Sequence, residues 1–336
     1  VLYYNIVFGR GFLTKGSSCL FYGLKVQDLY ADWMIGFVHF HFRLLASAEG
    51  AHFFPWHLKG GSVKEKDSIR VAVIMGGSSV EHEVSLKTGS NVVMKLDRER
   101  FSVFPVRINR DGTWQLAAKP WVNGEDFSAS ECFDHSPKIQ AGTAVTILKS
   151  KKIEVAFIAL HGPYGEDGTI QGLLEMSHLP YTGSAVDASA LAMNKINSKA
   201  VFRYWDIPVS KDRVVGGEDQ DLSKETIDEL EEELAYPCVV KSPCLGSSFG
   251  VVIASDRKEL IEAIKGCGSD YSPVLVEKYI KGRELTCGVI YEENLESPLI
   301  LPVTEIIPKK STFFDFEAKY TPGATDEVTP AEIPSD

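Results

Sequence analysis

The apolar run Ile69–Met75 passes directly into Gly76-Gly77-Ser78-Ser79 and then into a helical pattern from Glu81 to Leu96. A strand that is apolar throughout is buried on both faces, and that requires a parallel sheet with helices above and below it. The apolar runs Phe101–Ile108 and Val155–Leu160 alternate with helical segments in the same way, so the chain from Ile69 onward reads as wound α/β. A second unit begins near Asp206-Ile207-Pro208. It reads as helix Ser223–Leu234, strand Cys238–Lys241, a glycine-serine loop, strand Gly250–Ala254, helix Lys258–Ile264 and strand Val274–Tyr279. Glu284–Ile290 and Pro298–Ile307 read as two more strands, and there is no internal repeat.

A chain of 336 residues is long enough for two or three compact domains. Its formal charge of -11 argues against a nucleic-acid-binding face, though a local group of lysines can still hold an anion. The six cysteines are scattered without a C-x-x-C pair, which fits a reduced, cytoplasmic location. Trp33–Ala48 is interrupted by His39, His41 and Arg43 and is shorter than the roughly 20 residues of a membrane span, so no span is expected. Up to His57 the chain is rich in aromatics and shows poor helix and strand periods. A flexible charged stretch, Lys59–Asp67, follows it. Residues 1–58 are either the tail of a preceding fused domain or an upstream stretch that is not native coding sequence. The expected division is an unassigned extension and linker over 1–68, a first domain over 69–190 and a second over 191–336.

Several loops stand where strand ends place ligands. Gly76-Gly77-Ser78-Ser79-Val80-Glu81-His82-Glu83-Val84-Ser85 follows a strand, and glycines there let a ligand approach the backbone. Glu81 can hold an ammonium group, although an acid in a first turn also compensates the helix dipole. His161-Gly162-Pro163-Tyr164-Gly165-Glu166-Asp167-Gly168 lies after the strand Val155–Leu160. The adjacent Glu166 and Asp167 diverge, which suits capping and pinning the loop better than sharing a metal. Lys241-Ser242-Pro243-Cys244-Leu245-Gly246-Ser247-Ser248-Phe249-Gly250 sets a lysine before hydroxyls and backbone N–H groups. That suits a polyphosphate, as it suits a plain glycine loop with a solvated lysine; no Gly-Lys-Ser/Thr opens a helix, so it is not a Walker A loop. Val276–Glu284 offers acids that can accept from adenine or ribose, or forms an ordinary charged hairpin. Phe313–Tyr320 mixes aromatics and charges without a period, as a closing loop or a packed surface loop does.

In their order and contents these motifs resemble those of D-alanine–D-alanine ligases of the ATP-grasp type, from about Ile69 to the end of the chain. The most specific pieces are residues 76–85, 161–168, Pro-Tyr-Thr-Gly-Ser at 180–184, Lys241 with Gly-Ser-Ser at 246–248, and 314–320. The resemblance implies an α/β fold, with a Rossmann-like N-terminal domain followed by an incomplete ATP-grasp domain of α+β type. It implies that Glu81 orients the first D-alanine through its amine, with Ser247 and Tyr320 completing a hydrogen-bonded triad. Lys195 and Lys241 are the implied grip on ATP phosphates, with Ser248 on the phosphate loop and Lys319 reaching from the closing loop. Glu277, Lys278 and Ile280 match the adenine-binding crossing, Glu284 the acid for ribose hydroxyls, and His161 a histidine near the reacting carboxylate. The implied reaction phosphorylates one D-alanine carboxylate from ATP; the amine of a second then displaces phosphate. ATP with magnesium or manganese, D-alanine and a homodimer are the implied cofactors, substrate and assembly.

Three features depart from the family pattern. Ser242-Pro243-Cys244-Leu245 stands where proline directly after the lysine and polar residues are usual. Phe314 and Phe316 replace common tyrosines, while Tyr320 favours D-alanine as second substrate over D-lactate or D-serine. The family's final arginine, Asp and Glu-x-Asn group for magnesium do not follow Tyr320, so metal ligands are expected to be missing and the chain to be an inactive fragment. A non-catalytic nucleotide-binding remnant is the alternative. Asp326, Glu327 and Glu332 lie in a Pro/Gly-rich stretch read as lacking strand character.

Overall fold

The computed structural model describes residues 2–7, 68–121, 127, 131–133, 135–216, 222–270, 273–290, 297–309, 318–319, 321 and 323–334. It divides into two compact units, one of Val7–Ala188 with Ile290–Leu299, the other of Val1–Ile6, Ser189–Val289 and Ile300–Asp336. The first described element is strand β1 (Leu2–Val7), in a stretch where the sequence shows no clear period.

In the unit that holds residues 68–188, β2 (Ile69–Gly76), β3 (Phe101–Ile108), β4 (Trp114–Leu116) and β5 (Val155–Ile158) form a sheet in the order β4-β3-β2-β5. β2 pairs in parallel with β3 and β5, and β3 pairs antiparallel with the short edge strand β4. Helices α1 (His82–Lys95), α2 (Ala141–Ser150) and α3 (Thr169–Met176) cover it. Alternate side chains of β2 serve two different cores. Val71, Val73 and Met75 pack with Val92 and Val93 of α1. Ala72 and Ile74 pack with Ala144 and Leu148 of α2 and with Ile170 and Leu174 of α3. A strand between two helical layers has no solvent face, which is why its sequence does not alternate. β5 ends at Ile158 rather than at the expected Leu160. The Ala159 carbonyl instead accepts from Ser85 Oγ at 2.7 Å, so a side chain takes over from the strand ladder.

α4 (Val186–Met193) leads into the other unit, which continues with α5 (Lys195–Tyr204), β6 (Asp212–Val215) and α6 (Lys224–Leu234). Then come β7 (Cys238–Lys241), β8 (Val252–Ala254), α7 (Arg257–Asp270) and β9 (Val274–Lys278). The sheet order is β6-β9-β7-β8, with antiparallel pairs throughout. Ser223 caps α6 by accepting the Thr226 N–H at 3.2 Å. Ile227, Leu230 and Leu234 of α6 and Leu260 and Ile264 of α7 close a core with Val240, Ala254, Val274 and Val276. Full burial of each such side chain contributes roughly 1.5–3 kcal/mol. Because strand residues alternate, Lys241 and Glu277 lie on the sheet face away from that core.

β10 (Glu284–Ile290), β11 (Leu299–Ile300), β12 (Thr304–Pro308) and β13 (Thr325–Val328) form a further sheet, ordered β1-β10-β12-β13 with β11 beside β10. Two expectations change here. The single strand Pro298–Ile307 is broken into β11 and β12, since Pro302 has no N–H to give to a ladder. Asp326 and Glu327 do lie in a strand, β13, whose register sets Glu327 opposite Ile306. Four residues carrying Thr325 and Val328 suffice for a short edge strand between the surrounding turns.

Candidate active site

Neighbouring parallel strands bring their carboxyl-terminal loops together, and here the neighbours are β2 and β5. Ser85 Oγ joins the two ends, accepting the Gly76 N–H at 2.8 Å while donating to the Ala159 carbonyl. Ser79 makes a second tie: its Oγ donates to the His161 carbonyl at 2.7 Å and accepts the Glu81 N–H at 3.2 Å. Glu81 begins α1 and is only 3% exposed. Gly162 has φ +72°, and a Cβ there would stand 2.6 Å from Glu81 Oε2, so the missing side chain makes room for the carboxylate. His161 Nε2 lies 2.9 Å from Thr88 Oγ1, and its Nδ1 lies 4.0 Å from Glu166 Oε1. Burial holds the imidazole pKa below its usual range, with the Glu81 charge acting the other way. A neutral histidine at pH 7 is a hydrogen-bonding group here and not a fixed cation.

Glu166 and Asp167 pin the loop as their spacing leads one to expect. Glu166 Oε2 accepts the Gly162 N–H at 2.7 Å, and Asp167 accepts from Tyr164 and Thr169 at 2.8 and 3.0 Å. The structure thus brings Glu81 and His161 into one cluster. Ser79, Ser85, Thr88 and Gly162 complete it; the sequence motifs contain three of them without giving them a role, and Thr88 lies outside those motifs. The readable signal was positional, since all four lie in or beside the same two loops.

The other cluster lies in the unit of residues 189–289 and 300–336. Asn194 caps α5 by accepting the N–H groups of Ile196 and Asn197, which fixes Lys195 in the first turn. Lys195 Nζ donates to the Leu245 carbonyl at 2.5 Å and to the Pro243 carbonyl at 3.3 Å, and its N–H donates to Pro243 at 3.0 Å. The unusual Ser242–Leu245 segment therefore supplies carbonyls that hold a phosphate-gripping candidate. Burial and then the Lys241 charge push the Lys195 pKa down to about 8; Cys244 and Glu277 act upward, Lys319 downward. Lys241, Lys319 and Glu277 are thus each within electrostatic reach of Lys195.

Glu277 is 7% exposed and pairs with Lys241 through Oε2 and with Lys199 through Oε1 at 2.6 Å. Burial pushes its carboxyl pKa up, but Lys241 and Lys199 together hold it below the usual range. Ser247 and Ser248 have left-handed φ values of +52° and +56° on the β7–β8 loop, a conformation uncommon for residues other than glycine. Lys278 is exposed at the end of β9, Ile280 is 48% exposed beyond it, and Glu284 opens β10. Lys319 is described and half-buried, whereas Tyr320 and Phe313–Glu317 lie outside the described residues. Sequence reasoning missed Lys199 and Asp212, which meet at 2.9 Å. Lys199 falls one helical turn after Lys195, and Asp212 is paired across the sheet with Glu277.

Among the described residues no three His, Cys, Asp or Glu side chains converge to hold a metal ion. Asp326 pairs with Lys309 at 2.6 Å. Those described residues do not fit the magnesium or manganese that the family implies, and no step below runs through one. No helix among the described residues is long and apolar enough to cross a membrane.

A wound α/β unit followed by an antiparallel unit with a lysine cluster is the arrangement of ATP-grasp ligases, and solved structures of that class are similar to it. A D-Ala:D-Ser ligase, VanG, from Enterococcus faecalis is 27% identical, with a TM-score of 0.59 over 80% of this chain and 78% of that one. A D-alanine–D-alanine ligase from Bacillus anthracis complexed with ATP is 31% identical, with a TM-score of 0.56 over 80% and 72%. A D-alanine–D-alanine ligase of Geobacter sulfurreducens is 38% identical over 272 residues, covering 81% of this chain and 72% of the relative. The model described as D-ala D-ala ligase N-terminus matches residues 70–184, and that described as D-ala D-ala ligase C-terminus matches 201–336. The chain belongs to the D-alanine–D-alanine ligase family.

Proposed function

We propose that this chain joins two D-alanines to D-alanyl-D-alanine at the expense of ATP, for building the peptidoglycan precursor. The observation that carries this reading is the gathering of Lys195, Lys241 and Lys319 beside the left-handed Ser247-Ser248 turn. Lys241 and Lys319 both lower the affinity of Lys195 for its proton, and positive charges grouped in this way make a site for a polyanion. Two left-handed serines in a row form a turn, and successive backbone N–H groups in a turn can line an anion-binding concavity.

In this reading the carboxylate oxygen of the first D-alanine attacks the γ-phosphorus, and ADP leaves. The amine of the second D-alanine then attacks the acyl carbon, loses a proton, and inorganic phosphate leaves. Lys195, Lys241 and Lys319 hold phosphate oxygens and offset charge on the transferring group, with Ser248 on the loop beside them. Glu277, Lys278 and Ile280 border the adenine and Glu284 accepts from the ribose. Glu81 holds the ammonium of the first D-alanine, with Ser247 and Tyr320 as its triad partners. His161, kept neutral by burial, donates a hydrogen bond near the reacting carboxylate. The cytoplasm and a homodimer are the proposed setting, on family grounds.

The test is phosphate release from ATP and magnesium by the purified chain, with D-alanine alone or with D-serine or D-lactate as second substrate. Release that depends on D-alanine and vanishes in Lys241→Ala supports the ligase reading. Lys241-dependent ATP binding without any release favours a nucleotide-binding module. Binding that ignores Lys241 sinks both.

A further inference from the structure

Lys199 has no part in the roles set out above, yet it is 7% exposed and surrounded by acceptors. Its ammonium lies 2.6 Å from Glu277 Oε1, 2.9 Å from Asp212 Oδ1, 2.8 Å from Ser210 Oγ and 2.9 Å from the Ser210 carbonyl. Asp212 and Glu277 are direct partners across β6 and β9. Two carboxylates placed so repel each other unless a cation lies between them, and Lys199 is that cation. Asp212 also pairs with Arg203, and Glu277 gives its remaining oxygen to Lys241.

The charges in this array do not cancel. Lys199, Lys241 and Arg203 oppose Glu277 and Asp212, which leaves one positive charge in surplus. Without Lys199 the same residues sum to zero, and Glu277 would neutralise Lys241 by itself. A lysine so neutralised attracts a triphosphate weakly.

We propose that Lys199 is a positioning residue for nucleotide binding: it occupies Glu277 and Asp212 so that the charge of Lys241 stays available to a polyphosphate. The inference rests on the nucleotide reading above. Glu277 thereby draws on Lys241 with one oxygen, while Lys199 offsets its charge through the other. Lys199 from α5, Lys195 at the start of that helix, Lys241 from β7 and Asp212 from β6 all face Glu277.

The experiment measures binding of inorganic tripolyphosphate and of ATP to the full chain by calorimetry. Tripolyphosphate isolates the charge effect, because it makes no adenine or ribose contacts. Lys199→Met is expected to weaken tripolyphosphate binding about tenfold at pH 8. Adding Glu277→Gln to that variant restores the charge surplus and is expected to bring affinity back to within about threefold of the parent. Lys199→Arg is expected to retain binding. Glu277→Gln alone is expected to tighten tripolyphosphate binding, and it carries the test if Lys199→Met folds poorly.

Parent-like binding by Lys199→Met, with binding lost in Lys241→Ala, overturns the role of Lys199 and leaves the nucleotide reading standing. Lost binding that Glu277→Gln does not restore, or weaker binding in Glu277→Gln alone, shows that Lys199 serves the fold and not the charge. A parent that binds neither ligand overturns both readings.

Discussion

Gly162 combines a left-handed backbone with close approach to Glu81, and alanine there meets two costs at once. Backbone strain accounts for roughly 1–2 kcal/mol, and the new methyl group displaces the carboxylate. Gly162→Ala is expected to lower the thermal midpoint and to raise KM for D-alanine more than KM for ATP. An unchanged KM for D-alanine would remove Glu81 from the ammonium site. Lys195 carries a prediction about pH. An ordinary lysine keeps its proton to about pH 10.4, whereas Lys195, pushed down to about 8, loses it near physiological pH. Only the protonated form attracts phosphate, so ATP affinity is full well below pH 8 and falls as the pH rises through it. Lys195→Arg stays charged and should flatten that profile in a titration of Kd against pH. Glu81 and His161 were named from the sequence through the family motifs that carry them, both of which follow a strand end. Lys199 was not, since Lys-Ile-Asn-Ser-Lys does not reveal which of its lysines is buried; that depends on the pairing of Asp212 with Glu277.

At the scale of the element, α1 presents Gly89 to β2, and a Cβ at that position would lie 2.5 Å from Met75 Cβ. Alanine favours a helix over glycine by roughly 1 kcal/mol, but the clash is with an atom next to the backbone and cannot be relieved by a side-chain rotation. Gly89→Ala is therefore expected to destabilise by about 1–3 kcal/mol, measured by denaturant unfolding, against the sign that helix propensity alone gives. A more stable variant would mean that α1 can lift from the sheet at little cost. β2, β3 and β9 were readable from their apolar runs, since strands inside a layered core leave a direct mark on composition. The break at Pro302 and the short strand β13 were harder. The first follows from a proline that the apolar pattern hides, and the second from a pairing partner distant in the chain, which leaves little trace in local pattern.

For the whole molecule, separate cores mean separate responses. The β2 core and the β7–β9 core share no residue, and the lysine cluster belongs to the second. ATP is expected to slow hydrogen exchange at Lys195–Lys199, Val239–Lys241 and Leu275–Glu277 while leaving Val71–Met75 unchanged. Equal slowing in both places would show one cooperative body in place of two. An overall charge of -11 masks the local lysine surplus, so composition alone argued against a nucleic-acid face but could not locate the anion site. The bridge from Lys199 to Glu277 also has an evolutionary reading. When two positions satisfy each other's charge inside a protein, neither drifts alone, because the first loss leaves an uncompensated ion and only the second relieves it. Across relatives, a neutral residue aligned with position 199 should therefore travel with a neutral residue aligned with position 277. That co-variation can be sought in sequence alignments without a single new measurement on the protein.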